Sequence, residues 1–210
     1  MTSTTRPFSR PARAATICLA LSATLLSACA PLLVGGAMVG GTLVFMDRRT
    51  TGAQVDDQGI ELKAANRVKE TVGDRAHVNV TSYNRTVLIT GEAPTDADRS
   101  AIEQAVQRVE NVRSIVNELG VTSPSSISAR SNDAIITSKV KATLVDARDL
   151  QANAFKVVTE RSVVYLMGRV TEREATRASD LTRGITGVEK VVRVFEVITE
   201  AELADGAPRK

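Results

Sequence analysis

Aromatic residues make up 3% of this 210-residue chain, with two Tyr, four Phe and no Trp, so a nucleic-acid binder that stacks bases on rings is disfavoured. One His and two Cys leave too few ligands for the usual His/Cys metal sites, and no cofactor is expected. No uninterrupted apolar run reaches the roughly 20 residues that a helix needs to span a bilayer. Nor is there a usable excess of one charge. The formal net charge is +3, but Arg6, Arg10 and Arg13 account for it, and residues 29–210 carry 24 basic and 24 acidic side chains. An argument for nucleic-acid affinity from overall basicity therefore fails. What remains is a chain with 43% hydrophobic and 24% charged residues, enough for one or two packed domains.

The three arginines lie within residues 1–13, followed by an apolar stretch over residues 14–26 and the small residues Ser27 and Ala28. A charged start, a short apolar run and a small-residue cleavage zone describe a secretory signal. The sequence Leu26-Ser27-Ala28-Cys29 resembles the bacterial lipobox, which implies a signal peptide over 1–28 and acylation of Cys29. Cys18 would leave with the leader, so the mature chain would have no partner for a disulfide. Two or more acyl chains anchor stably, at about 0.8 kcal/mol per buried methylene. By resemblance to the lipoprotein sorting rule, Ala30 after the Cys implies the outer membrane, facing the periplasm. Residues 30–46 are apolar with four glycines and read either as a membrane-hugging segment or as a flexible tether. The tether is expected to extend over 29–54.

The mature chain repeats itself. Residues 78–91 (VNVTSYNRTVLITG) lie over 155–168 (FKVVTERSVVYLMG) at a constant shift of 77. Residues 109–116 match 185–192 at a shift of 76, and 68–72 match 140–144 at 72, so the length differences fall between elements.

Both copies show the same periodicities. Ile60, Ala64, Val68 and Val72, and likewise Ile136, Val140 and Leu144, recur every four residues as in an amphipathic helix. Alternation then gives two strands around polar turns at Asn84-Arg85 and Arg161-Ser162. Helices follow over 95–109 and 171–184, with Ile102, Ala105, Val106 and Val109 in one core stripe and Ala175, Ala178, Leu181 and Ile185 in the other. Thr95 with Asp98, and Thr171 with Glu174, are capping-box patterns. Final strands are predicted over 112–121 and 188–198. The fold class is α+β: two tandem units, each helix-strand-strand-helix-strand with a three-stranded sheet covered by two helices on one face. Units of about 65 residues are marginal alone, so mutual docking is expected.

The strand-to-glycine runs 86–92 (TVLITGE) and 163–170 (VVYLMGRV) resemble the hallmark of the BON domain. The runs 52–57 (GAQVDD), 79–81 (NVT), 131–133 (SND) and 166–175 (LMGRVTEREA) add to the likeness. A lipobox before two such units resembles the dual-BON outer-membrane lipoproteins. The expected organisation is BON domain 1 over 55–122, a linker over 123–130, BON domain 2 over 131–199 and a disordered tail over 200–210. The resemblance implies a non-enzymatic protein that supports outer-membrane integrity and binds anionic phospholipid such as phosphatidylglycerol.

Charge divides between the units. Residues 55–122 hold 8 basic and 11 acidic side chains, and 131–199 hold 11 and 9, so an anionic surface favours the second unit. On a wheel of about 100° per residue, Ile135 and Val145 fall outside the core stripe of the second unit's first helix, beside Lys139. Ile135, Lys139, Lys141 and Val145 are therefore the candidate phospholipid-binding residues, the alternative being that the two apolar groups pack within the molecule. A rival from another class is an adaptor whose acidic first unit holds an envelope protein such as the outer-membrane assembly machinery. Catalytic candidates are weak: His77 reads as a turn or surface residue, and Asp56-Asp57 and Glu172/Glu174 as solvated or capping groups.

Overall fold

The computed structural model describes residues 47–205. The expected signal peptide 1–28, Cys29, the tether up to residue 46 and the last five residues lie outside the described residues. Among them, no helix is long and apolar enough to cross a membrane.

The first repeat opens with helix α1, Thr51–Val72, which the Thr50 hydroxyl caps by accepting from the Ala53 amide. Ile60, Ala64, Val68 and Val72 are buried along one face, as a spacing of four residues requires. Strands β1 (His77–Tyr83) and β2 (Thr86–Ala93) pair antiparallel. Helix α2 (Asp96–Gln107) then crosses over to β3 (Ser114–Asn117) and β4 (Gly120–Val121), both parallel to β2. The final strand expected over 112–121 is thus broken. The Glu118 amide still bonds to the Ile89 carbonyl, and the Leu119 amide turns onto the Asn117 side chain.

The second repeat has the same order: α3 (Ile127–Asp146), β5 (Phe155–Glu160), β6 (Val163–Thr171), α4 (Glu172–Arg183) and β7 (Lys190–Ile198). Here the last strand is unbroken and pairs parallel to β6 over nine residues. Thr171 and Glu174 form the full capping box. In the first repeat the Thr95 hydroxyl instead donates to the Asp98 carboxylate while accepting the Asp98 amide.

Three expected boundaries are corrected. Helix α1 begins at Thr51, because Thr50 supplies a cap, so the tether does not extend to residue 54. Helix α3 begins at Ile127 because Ser126 accepts from the Ala129 amide, which shortens the 123–130 linker. Residues 200–205 are helical, not disordered: Glu200–Asp205 form α5, started by reciprocal Thr199–Glu202 hydrogen bonds that make a capping box. The core stripe of α4 also differs. Ser179 and Thr182 are buried while Leu181 is only half-buried, because 175, 178, 179 and 182 share one helical face. Their hydroxyls donate to the Ala175 and Ala178 carbonyls one turn back, which removes the cost of burying them.

Each sheet has helices on one face only. Val87 and Ile89 of β2 point into the first helix-covered core, and Val164 and Leu166 of β6 into the second. The opposite faces pack against each other: Tyr83 and Leu88 from one repeat meet Tyr165 and Met167 from the other, with Val116, Val158, Val192 and Val194 around them. Both central strands are thereby buried on both sides, which explains their nearly continuous apolar character. The expected docking of the repeats takes this back-to-back form.

A matched device holds each hairpin. Asn84 and Arg85 both have positive φ, as do Arg161 and Ser162, the geometry of a tight two-residue turn that usually calls for Asn-Gly. In the first repeat Asp57, 2% exposed on α1, accepts from the Asn84 and Arg85 amides and the Ser82 hydroxyl. In the second, buried Asp133 on α3 accepts from the Arg161 and Ser162 amides. Asp57 is therefore no solvated linker carboxylate. It ties the first helix of its repeat to the hairpin and offsets the strain of non-glycine residues in a left-handed turn.

The hallmark glycines answer a second constraint. A Cβ on Gly91, at φ 112°, would overlap the His77 carbonyl oxygen, and one on Gly168 would overlap that of Ala154. Gly168→Ala is expected to destabilise the protein by about 1–3 kcal/mol through this backbone overlap, read as a lowered urea midpoint. An unchanged midpoint would mean that the strand end has room the structure does not show.

Candidate functional site

Helix α3 is fixed from beneath by buried Asp133 and by the apolar Ile136, Val140 and Leu144, the last three at most 2% exposed. Its other side faces solvent. Ile135 is 55% exposed, Val145 68% and Ile127 83%, so the two apolar groups singled out in the sequence do not pack within the molecule. Ile127 was missed because it lies in the segment read as linker. On the wheel it coincides with Val145, about 80° from Ile135, and the three make one strip. Lys139 and Lys141, both exposed, flank the strip on opposite sides, at about +40° and −120° from Ile135. Between the apolar groups, Ser131 and Ser138 donate their hydroxyls to the Ile127 and Ala134 carbonyls, which leaves the strip with little polar demand.

The strip ends at a cleft of about 390 Å³ lined by Lys141, Val145, Phe155 and Val157, with Asp47 on its rim.

The next two residues form a clasp. The Arg48 guanidinium binds both oxygens of Glu174 at 2.7 and 2.8 Å and the Arg169 carbonyl at 3.0 Å. Arg49 turns to the first repeat, pairing with Asp57 at 2.8 Å and with Asp47, and lies 4.4 Å over the Tyr83 ring, a cation–π contact. Burial alone would raise the Asp57 carboxyl, but bonds from Ser82, Arg85, Arg49 and Asn84 hold it below its ordinary range. Glu174 is likewise lowered: burial opposes the charge, and Arg48 and the Thr171 amide outweigh it.

His77 is not an isolated turn residue. It opens β1 opposite Glu92 of β2, with Nδ1 3.1 Å from Glu92 Oε2 and 4.0 Å from Glu160 Oε1 of the other repeat. Burial pushes the Glu160 carboxyl up, the Asn79 and His77 side chains oppose this, and Glu92 adds to it. The sequence gave no signal for the grouping, because its members lie 15 and 68 residues apart along the chain. Elsewhere the acidic groups of the first repeat are largely engaged. Asp56 pairs with Arg85, Glu61 with Lys156 and Glu110 with Lys63.

The BON domain pattern matches residues 56–123 and 132–199. The chain is 36% identical over 186 residues to the outer membrane lipoprotein DolP of Haemophilus influenzae, covering 87% of this chain and 95% of that one. It is 30% identical over 155 residues to a 21 kDa hemolysin of Actinobacillus pleuropneumoniae, covering 73% and 80%. Among solved structures, CdsD of the Chlamydia trachomatis type III secretion system aligns at 10% identity with a TM-score of 0.30, covering 67% of this chain and 95% of that chain.

The clasp predicts an acid-sensitive contribution to stability. Asp57 and Glu174 have folded-state values below their unfolded ones, so the stability they supply is complete above about pH 4 and is lost as pH falls through the depressed values. Arg48→Met should cost about 3 kcal/mol at pH 7 by leaving Glu174 buried and unpaired. The gap between native and variant urea midpoints should narrow from pH 5 to pH 2.5, and a constant gap would contradict the pairing.

Proposed function

This chain belongs to the BON-domain family, as a dual-BON relative of the outer membrane lipoprotein DolP, and from that premise we propose a non-enzymatic role at the envelope. The protein is anchored in the outer membrane by an acylated Cys29, faces the periplasm and docks its second BON domain onto anionic phospholipid, helping to maintain outer-membrane integrity. Phosphatidylglycerol-rich membrane is the expected surface.

The observation that carries this reading is the exposed face of α3. Ile127, Ile135 and Val145 stand in one apolar strip with a lysine on either side, the layout that an interfacial helix presents to acyl chains and headgroups. Asp47, 18 residues after the proposed anchor Cys29, lines the same cleft as Lys141 and Val145. Apolar Leu144, Val145, Phe155 and Val157 line the cleft together with Lys141 and with Asp47, which Arg49 pairs, a lining that suits a lipid headgroup at the surface. The adaptor alternative draws less support, since ion pairs within the molecule engage much of the acidic side of the first domain.

Flotation with liposomes tests the reading on residues 47–210, a segment that contains all the described core and lacks the acyl anchor. Native protein should float with phosphatidylglycerol vesicles and less so as salt rises. Ile135→Glu should weaken binding by at least about tenfold, the equivalent of 1.4 kcal/mol. Lys139→Gln with Lys141→Gln should weaken it comparably, at about 1 kcal/mol per basic group. Equal flotation of native protein and Ile135→Glu would refute the assignment to this helix.

A further inference from the structure

The two repeats meet through equivalent positions, and the 77-residue shift shows where they diverge. At one end of the interface Tyr83 reaches across so that its hydroxyl lies between the Ala154 carbonyl and the Arg169 amide. At the other end the equivalents of those three residues are Glu160, His77 and Glu92. A tyrosine hydroxyl between two backbone groups at one end is thus matched by an imidazole and two carboxylates at the other. The first end is supplied with cations, Arg49 over the Tyr83 ring and Arg48 on the Arg169 carbonyl, whereas the second has two carboxylates beside one histidine.

The charges at that end are also unbalanced. The Glu92 and Glu160 side chains are 0% and 7% exposed, and His77 is 22% exposed. Among the described residues, His77 is the one basic partner within ion-pair distance of either carboxylate. Glu160 Oε2 accepts from the Asn79 amide group at 2.8 Å, and Glu92 Oε2 from His77 and, at 3.4 Å, from Ser125. Glu92 Oε1 is buried and has no hydrogen-bond partner, a condition costly enough to need an explanation.

We infer that His77, Glu92 and Glu160 form a binding site for a zinc-class divalent cation at the junction of the two BON domains. One ligand atom from each residue can be chosen so that all three lie within 4.8 Å of one another. The 3.1 and 4.0 Å separations from His77 Nδ1 bracket the spacing of about 3.3 Å that neighbouring ligands adopt around a tetrahedral ion with bonds near 2 Å. One imidazole and two carboxylates suit zinc and related transition ions, whereas calcium takes six to eight oxygens. Asn79 orients Glu160 from outside the ligand set, and Glu160 and Gly91 border a cleft of about 380 Å³ that Arg99, Arg161 and Lys190 also line. A bound dication neutralises both carboxylates and occupies Glu92 Oε1. Its ligands come from both repeats, so it staples one to the other.

The test uses the full chain without a histidine tag, purified in detergent and stripped with a chelator. Zinc chloride is titrated against a chromogenic competitor while the ring signals of His77, the one imidazole in the chain, are followed by NMR. The expected result is one ion per chain, a shift of the His77 ring signals, and a melting temperature that rises with zinc as ligand linkage requires. Glu160→Gln and Glu92→Gln should each weaken binding by at least about tenfold and abolish the zinc-induced rise in melting temperature. Glu160→Gln retains an acceptor for Asn79 and serves should Glu92→Gln not fold. The inference is overturned if zinc fails to bind stoichiometrically, if it binds without moving the His77 signals, if Glu160→Gln binds as tightly as native protein, or if magnesium competes equally.

Discussion

Everything in this molecule follows from a sheet that its own helices cover on one side only. Two helices suffice for one face of a three-stranded sheet, and the other face, carrying Leu88 in one repeat and Tyr165 and Met167 in the other, is too apolar to leave in water. Packing the two bare faces together buries both central strands completely and joins two marginal units into one structure. The helices are thereby turned outward, one pair on each side of the joined sheets, and the free face of α3 becomes available for docking.

Around that shared interface the repeats have kept what folds them and changed what lies between them. Asp57 and Asp133 hold equivalent hairpins, and Gly91 and Gly168 pass equivalent carbonyl oxygens. Those positions answer local backbone geometry, which is the same in both copies. The interface residues answer a partner, and the partner differs. Tyr83 is matched by Glu160, and Glu92 by Arg169, so carboxylates gather at one end of the junction and arginines at the other. The clasp of Arg48 and Arg49 adds a further asymmetry, because a single entering chain can bind both repeats only once. Arg48 seals Glu174 in the second repeat while Arg49 seals Asp57 in the first, and the stretch just before α1 is thereby held to both repeats.

This arrangement gives a physical sense to the order of the parts. Asp47 borders the cleft that Lys141 and Val145 line, and in the proposed reading an acylated Cys29 and the apolar strip of α3 would act on one surface. Attraction of the flanking lysines to anionic headgroups would be weak for each group, and the proposed anchor would make it effective by keeping the local concentration of membrane high.

The sequence by itself determined the repeat, the order of elements, the two hairpins and the core stripe of α3, because these depend on periodicities of two and 3.6 along a continuous stretch of chain; it placed Ile135 and Val145 off that stripe but left open whether they face solvent. It also held Asp57 and Asp133 in recognisable runs without disclosing their work, since a buried carboxylate and the amides it binds lie about 28 residues apart. Ile127 escaped because a serine cap, not a change in composition, starts its helix, and Leu181 was misplaced because Ser179 and Thr182 satisfy their hydroxyls within the helix. Only the tertiary structure decided the pairing of the bare sheet faces, the Arg48–Glu174 clasp across 126 residues and the meeting of His77 with Glu92 and Glu160. Those contacts depend on which surfaces two folded repeats offer each other, and no periodicity along the chain records that.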